Sequence, residues 1–469
     1  MKLNATAQNF CHKIKLPSVY VAETRRLRSN NMSETENRNA EGITRRSFLT
    51  NSAVTLAGLV LGARTVGQQL SSKTYEFING QWFDGQNFRH KRFYSAGGIL
   101  TSKKPVRVDS VVNLTGKYVI PPFGEAHNHN VENRERIDEL ARKYLQDGIF
   151  YVKNPNNLPS ARTSLLGRIN IPTSIDAVFA NGGLTASGGH PLGVVKRNLE
   201  RGAKPEDWAE GGFYHIIDNL ADLDRKWEKI LAGKPDFIKT YLQYSEEYEK
   251  RREDNTYLDW RGLNPALLPE IVRRAHKAGL RVSTHVETTT DFHNALIAGV
   301  DEINHTPGFR PEKGDWTKYD SARFKISERD ARLAARNRVV VVTTLISAID
   351  SALQKKEGEP FNELRDLLVQ NLQLLKKHGV PIAIGSDSYR QTSLAEALNL
   401  QKLGAVDNRT LLKMWCETTA AAIFPKRKIG HLKEGYEASF LALNDNPLQD
   451  FANVRKIDRR FKQGEFLSL

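Results

Sequence analysis

Short apolar runs and helix-patterned stretches alternate eight times through the middle of this chain. The runs are "KYVIPPFGEAH", "GIFYVKN", "SIDAVFA", "DFIKTYL", "RVSTHV", "EINHT", "VVVVTTL" and "PIAIGSD". Between them lie segments such as "NRERIDELARKYLQD", "NPALLPEIVRRAHKAG", "FHNALIAG" and "FNELRDLLVQNLQLLKKHG", several of which end in Gly as a helix C-terminus does. Apolar runs of four to eight residues read as buried strands, and the longer i, i+3, i+4 patterns read as helices. Strands that alternate with helices pair in parallel, because parallel neighbours need a long crossover between them. Eight such units predict an α/β fold, a (β/α)8 barrel of the TIM type over residues 118–425. A doubly wound open sheet is the alternative. On either side the pattern changes. "YEFINGQWFDG", "FRHKRFYSAGGIL" and the tail "KIGHLKEGYEASFLALNDNPLQDF" alternate apolar and polar residues around turn signals, as short antiparallel strands do. Residues 73–117 and 426–469 are therefore expected to join in a smaller β domain.

The polar residues at the strand ends give this scaffold its chemistry. His127 and His129 close the first run, Lys239 lies in the fourth, His285 closes the fifth, His305 the sixth and Asp387 the eighth. In barrels of this kind, catalytic groups come from the C-terminal ends of different strands and meet on one face. In an extended segment residues i and i+2 also point the same way, so His127 and His129 converge on one point, as metal ligands do. His190 in "SGGHP", Tyr241, Tyr389 and Arg390 fall near strand ends and are candidate substrate contacts. Arg390 would pair with a carboxylate through a bidentate fork. His215, His276, His293 and His378 are read as lying on helices or loops away from strand ends and are not expected to bind metal.

Charge and cysteine content narrow the function classes. The chain has 469 residues and a formal charge of +15, but residues 1–73 carry eleven Lys/Arg against four Glu and so account for +7 of it. The remainder is scattered, with no basic helix or aromatic-interleaved patch, which excludes a nucleic-acid partner and leaves a field that favours anionic substrates. The two cysteines are Cys11 and Cys416, so a Cys-based metal site is excluded. "TRRSFL" (Thr44–Leu49) followed by "AVTLAGLVLGA" (Ala53–Ala63) reads as a twin-arginine signal over residues 44–68, within an N-terminal extension of residues 1–72. The apolar stretch is too short to span a bilayer. Met32 is an alternative start. Export through the Tat machinery to the periplasm or beyond is the expected route, and it suits a protein that folds and takes up metal first.

"VIPPFGEAHNH" resembles the amidohydrolase superfamily, whose first ligands follow an apolar strand, Pro-Gly, an acidic residue and His-x-His. The resemblance runs over residues 74–469. "VVNLTGKYVIPP" and "KIGHLKEGYEASFLALNDNP" resemble the split β-sandwich that flanks the barrel there. "THVETTTDFHNALIAGVDEINHT" and the "SGGHP" loop are similar to the branch holding imidazolonepropionase and metal-dependent Xaa-Pro dipeptidases. The resemblance implies two divalent ions, Zn2+ with Mn2+, Co2+ or Fe2+ as alternatives. His127, His129 and Asp387 would hold one and His285 and His305 the other, with Lys239 bridging them as a carbamate formed with CO2. It further implies a bridging hydroxide that attacks a C–N bond of an amide, lactam or dipeptide-like substrate, with Asp387 moving the proton. An esterase, lactonase or phosphotriesterase at the same centre, or a non-catalytic binding protein on the same barrel, are the rival readings. A homo-oligomer is compatible with the sequence. Three departures stand out: Glu125 replaces the usual Asp, Pro122-Phe123-Gly124 replaces a tighter turn, and the sequel to Lys239 lacks the Gly-rich stretch of the dipeptidases.

Overall fold

Each of the eight apolar runs contains a parallel strand in the computed structural model, which describes residues 73–132, 134–203, 208–315, 319–346 and 359–469. The twin-arginine segment, Cys11 and Met32 lie outside the described residues. Strands Phe123–Glu125, Ile149–Asn154 and Asp176–Phe179 form one parallel sheet in that order. A second parallel sheet runs Tyr214–Ile216, Gly183–Thr185, Ile238–Tyr241, Val282–His285, Glu302–Asn304, Val340–Thr343 and Ile382–Ile384. Most of their residues are buried, as expected of parallel strands covered on both faces.

Backbone hydrogen bonds tie the two sheets together on both sides. Ala126 N donates to Ile384 O (2.9 Å) and Asp387 N to His127 O (2.8 Å) at one edge, and Asp236 N donates to Phe179 O (2.8 Å) at the other. The covering helices bury one stripe each: Leu268–Lys277 buries Leu268, Ile271, Val272 and Ala275 at i, i+3, i+4 and i+7. Helix Thr289–Ala298 starts with a Thr288/Asp291 capping box and stops at Gly299, whose φ of 83° suits a residue without a Cβ. Among the described residues, no helix is long and apolar enough to cross a membrane.

A separate eight-stranded sheet joins the N- and C-terminal segments, and Tyr75–Phe83 pairs in it in parallel with Ser110–Asn113 and Tyr118–Ile120, not only antiparallel as expected. Its path is Glu465–Phe466, Ile457–Lys462, Phe440–Leu443, Tyr118–Ile120, Tyr75–Phe83, Phe88–Ala96 and Ile99–Thr101, and Ser110–Asn113 pairs with Tyr75–Phe83. Two sequence expectations need correction here. "KYVIPPFGEAH" is not one strand: Tyr118–Ile120 belongs to the terminal sheet and Phe123–Glu125 to the parallel one. Pro121 and Pro122 fall between them, where residues without an N–H cannot continue a ladder. The short strands Gly183–Thr185 and Tyr214–Ile216 escaped the sequence reading, so His215 lies in a strand and not on a helix or loop.

Candidate metal centre

Five strand ends bring six polar side chains together. His285 ends the Val282–His285 strand, and Lys239 lies inside Ile238–Tyr241. His305 follows Asn304 directly, and Asp387 comes three residues after Ile384. His127 and His129 sit in bends just beyond Glu125, so strand alternation is not the device that aligns them. They converge nonetheless: their ring centroids are 5.3 Å apart, and their Nε2 atoms lie 3.6 and 3.4 Å from Asp387 Oδ1. The rings continue from His127 to His305 at 4.9 Å and from His305 to His285 at 4.5 Å. His127, His129 and Asp387 offer ligand atoms that all lie within 4.8 Å of one another.

The backbone is bent into place to achieve this. His305 and Asp387 have φ of 74° and 47°, the left-handed region that side chains other than Gly rarely adopt. Such conformations cost on the order of 1–3 kcal/mol each and persist where surrounding structure enforces them, typically at functional sites. Gly385 makes the approach possible, because a Cβ there would lie 2.7 Å from both the nitrogen and the Cβ of His127. Glu125, fully buried, accepts from Ser386 N (2.7 Å), Ser386 Oγ (2.9 Å) and His127 N (3.4 Å). It thereby clamps the loop that carries Asp387 to the one that carries His127, and the extra methylene relative to Asp is accommodated. Burial pushes its carboxyl up to about 8, with the Ser386 and His127 donors opposing.

Protonation states favour metal ligation. Burial holds the imidazoles of His127, His285 and His305 well below their usual range, and the nearby Lys239 charge pushes the same way. They are neutral, with a lone pair available. Burial raises the Asp387 carboxyl, but the facing His127, His129 and Lys239 outweigh it and hold it at about 2. Burial lowers the Lys239 amine to about 7 against the opposing pull of Glu302 and Asp387. Its Nζ reaches Asn304 Oδ1, and Asn304 connects through Ser283 and Glu302 to Lys153, a hydrogen-bonded chain buried in the parallel sheet.

The outward ring atoms are also occupied as ligand histidines require. His129 Nδ1 faces Asn156 O at 3.3 Å, His285 Nε2 faces Glu287 Oε1 at 2.9 Å, and His305 Nδ1 faces Thr344 Oγ1 at 2.6 Å. A metal-bound imidazole donates its second N–H to a carbonyl or carboxylate such as those facing His129 and His285, which fixes its tautomer, and the Thr344 hydroxyl can accept in the same way from His305. His127 Nδ1 is buried without a hydrogen-bond partner among the described residues. The donor set thus fits divalent metal.

The substrate candidates divide. His190 lies beside the centre, 5.3 Å from His285 and 5.2 Å from Tyr241 by ring centroids, with Nδ1 3.0 Å from Asp259 Oδ1. Tyr241 is buried, and Lys239 Nζ lies 5.2 Å from its ring centroid. Tyr389 is largely exposed but its ring stacks at 5.9 Å on His129, at the rim. Arg390 is exposed on the loop after Asp387, and its main-chain carbonyl accepts from Lys143. Of the four histidines set aside, His276, His293 and His378 pair with Asp301, Asp330 and Glu328 away from the centre. The sequence reading missed Asp259, Glu287 and Arg310, whose pairings join segments with no shared motif.

Residues 240–456 match the amidohydrolase family. Ochratoxinase of Aspergillus niger is 27% identical over 221 residues, a stretch that covers 46% of this chain and 43% of the relative, so less than half of that protein's length is matched. The crystal structure of A. niger ochratoxinase superposes with a TM-score of 0.64 at 18% identity, covering 84% of this chain and 95% of the other. A Xaa-Pro dipeptidase with bound methionine gives 0.64 at 16% identity, covering 85% of this chain and all of the other. At such identities the structural likeness speaks for the fold.

Proposed function

Taking the chain as an amidohydrolase-family protein, recognised over residues 240–456, we propose that it is a metal-dependent hydrolase that cleaves the C–N bond of an amide, lactam or dipeptide-like substrate. The observation that carries this reading is the convergence of His127, His129, Lys239, His285, His305 and Asp387 from separate strand ends, with the outward nitrogens of His129, His285 and His305 engaged. We assign the three- and seven-stranded parallel sheets to a (β/α)8 barrel that begins after Pro121-Pro122 and runs to residue 425, and the terminal sheet, with Tyr118–Ile120 in it, to a β-sandwich of residues 73–120 and 426–469. The bonds that join the parallel sheets at both edges support the first assignment.

His127, His129 and Asp387 would hold one divalent ion and His285 and His305 a second, with Lys239 between them, and Zn2+ suits this donor set. The ions, when bound, polarise the scissile carbonyl and lower the pKa of the attacking water. Lys239 suits carboxylation because burial keeps its amine close to neutral at physiological pH, and a neutral amine is the form that adds CO2. Asp387, ionised and 3.4–3.6 Å from two imidazoles, takes the proton of the attacking water and passes it to the leaving nitrogen. His190 and Tyr241 pack beside His285 and would orient the carbonyl. Asp259 holds the His190 ring.

The names of the neighbouring proteins, a Xaa-Pro dipeptidase among them, support amide substrates. Export by the twin-arginine route, read from Thr44–Leu49, is part of the same proposal. A panel of dipeptides, N-acyl amino acids, lactams, lactones and a phosphotriester, run with metal-loaded protein, tests it. Turnover of an amide bond is expected. Turnover confined to the esters, or none in protein that retains metal, contradicts it.

A further inference from the structure

We propose that Arg310 is the residue that selects substrates bearing a carboxylate, a step beyond the hydrolase reading above but resting on the same centre. A substrate carboxylate that is to stay clear of the ions and leave them to the scissile carbonyl needs a cation of its own. Arg310, five residues after His305, supplies one beside the centre.

The guanidinium is fixed from three directions. Its Cζ lies 4.9 Å from the Trp260 ring centroid and 5.2 Å from that of Phe309. Phe309 in turn stacks at 4.2 Å on the ring of His305. Behind it, Nε donates to Glu287 Oε1 at 2.9 Å and Nη2 donates to the same oxygen. Glu287 Oε1 also meets His285 Nε2 at 2.9 Å and Gln243 Nε2 at 3.1 Å. One carboxylate oxygen therefore orients both a ring of the metal centre and the arginine beside it.

Accessibility decides which member of this cluster can meet a ligand. The side chains of Glu287, Gln243 and Tyr244 are buried, and Glu287 Oε2, Gln243 Oε1 and the Tyr244 hydroxyl are closed off without hydrogen-bond partners among the described residues. The Arg310 side chain keeps 33% of its accessible surface. An arginine has five N–H groups in a rigid fork, of which Glu287 takes two. Three remain, on Nη1 and Nη2, which is the pair of atoms that grips a carboxylate end-on through two parallel bonds. A pair that served only to hold the loop would gain nothing from leaving that end open.

Binding to metal-loaded protein tests this without requiring turnover. The probes are N-acetyl amino acids, each paired with the N-acetyl amino alcohol that replaces the carboxylate with a hydroxymethyl group. Wild-type protein is expected to bind the acids at least tenfold more tightly. Arg310→Gln is expected to bring each pair within about threefold by weakening the acid alone, and Arg310→Lys to recover part of the preference. Because Arg310→Gln leaves Glu287 without its cation, Arg310→Gln with Glu287→Gln is measured beside it, with thermal unfolding and metal content as controls. No acid bound by wild type, no acid preference in wild type, or equal weakening of acid and alcohol in both variants overturns the assignment. Acid preference without hydrolysis of any probe would keep Arg310's role and count against the amidohydrolase reading instead.

Discussion

The terminal sheet and the metal-centre face use opposite means of being well ordered. In the terminal sheet, Tyr75, Phe77, Trp82, Phe440 and Phe461 meet in near-perpendicular and stacked rings, with Phe77 to Phe440 at 5.0 Å and Phe440 to Phe461 at 4.9 Å. That core is apolar, and aromatic pairs of this kind contribute about 0.5–1.5 kcal/mol beyond area burial. At the centre, neutral imidazoles, an ionised aspartate and a buried lysine are packed side by side, and two residues adopt left-handed backbone. Desolvated polar groups there cost stability unless a ligand completes their bonding. One region supplies the free energy that the other consumes, and substitutions in the two should separate cleanly.

The largest separation is expected from Lys239→Ala. Turnover and metal content should fall by well over 100-fold, beyond the roughly 10–100-fold carried by hydrogen-bond partners of ligands. Unfolding by urea should stay cooperative. Unchanged metal and turnover would refute the bridging role. The reverse case is Phe461→Ala, which empties the aromatic core and is expected to cost about 3–5 kcal/mol by urea unfolding while folded protein keeps its metal. Loss of metal at unchanged stability would show that the two regions are not distinct.

Glu125→Ala sharpens the comparison, since this residue accepts from the Ser386 and His127 backbone and the Ser386 hydroxyl, which hold the ligand loops. Metal affinity is expected to drop about 10–100-fold by competition with a chelator. The smallest effect concerns the joint between the terminal and parallel sheets, where Asp176 meets Lys462 and Arg427, each at 2.8 Å. Burial raises its carboxyl, but the two cations outweigh burial and hold it below the usual range. Its contribution is therefore complete above the unfolded carboxyl pKa of about 4 and is lost as pH falls below it. Asp176→Asn should flatten the acid limb of stability against pH; an unaltered limb would remove Asp176 as its source.

Much of this was legible in the sequence because parallel strands are buried on both faces and read as plain apolar runs. The candidate ligands lie in or just beyond those runs, so chain order alone pointed to where they gather. The split at Pro121-Pro122 was not legible, since the two halves are equally apolar and only their pairing partners differ. Strands Gly183–Thr185 and Tyr214–Ile216 are three residues long and leave no periodic trace. Arg310 and Glu287 were invisible because they are 23 positions apart and neither lies in a strand. Arg390 drew attention by lying three residues from Asp387, whereas Arg310 packs on Phe309, which stacks on His305, a contact that sequence spacing does not announce.

The most direct test is metal analysis of the purified full chain together with Lys239→Ala. About two equivalents of divalent metal per wild-type chain, lost in the folded variant, is the expected result. Wild-type protein that binds no metal even after incubation with Zn2+ and bicarbonate would contradict the account.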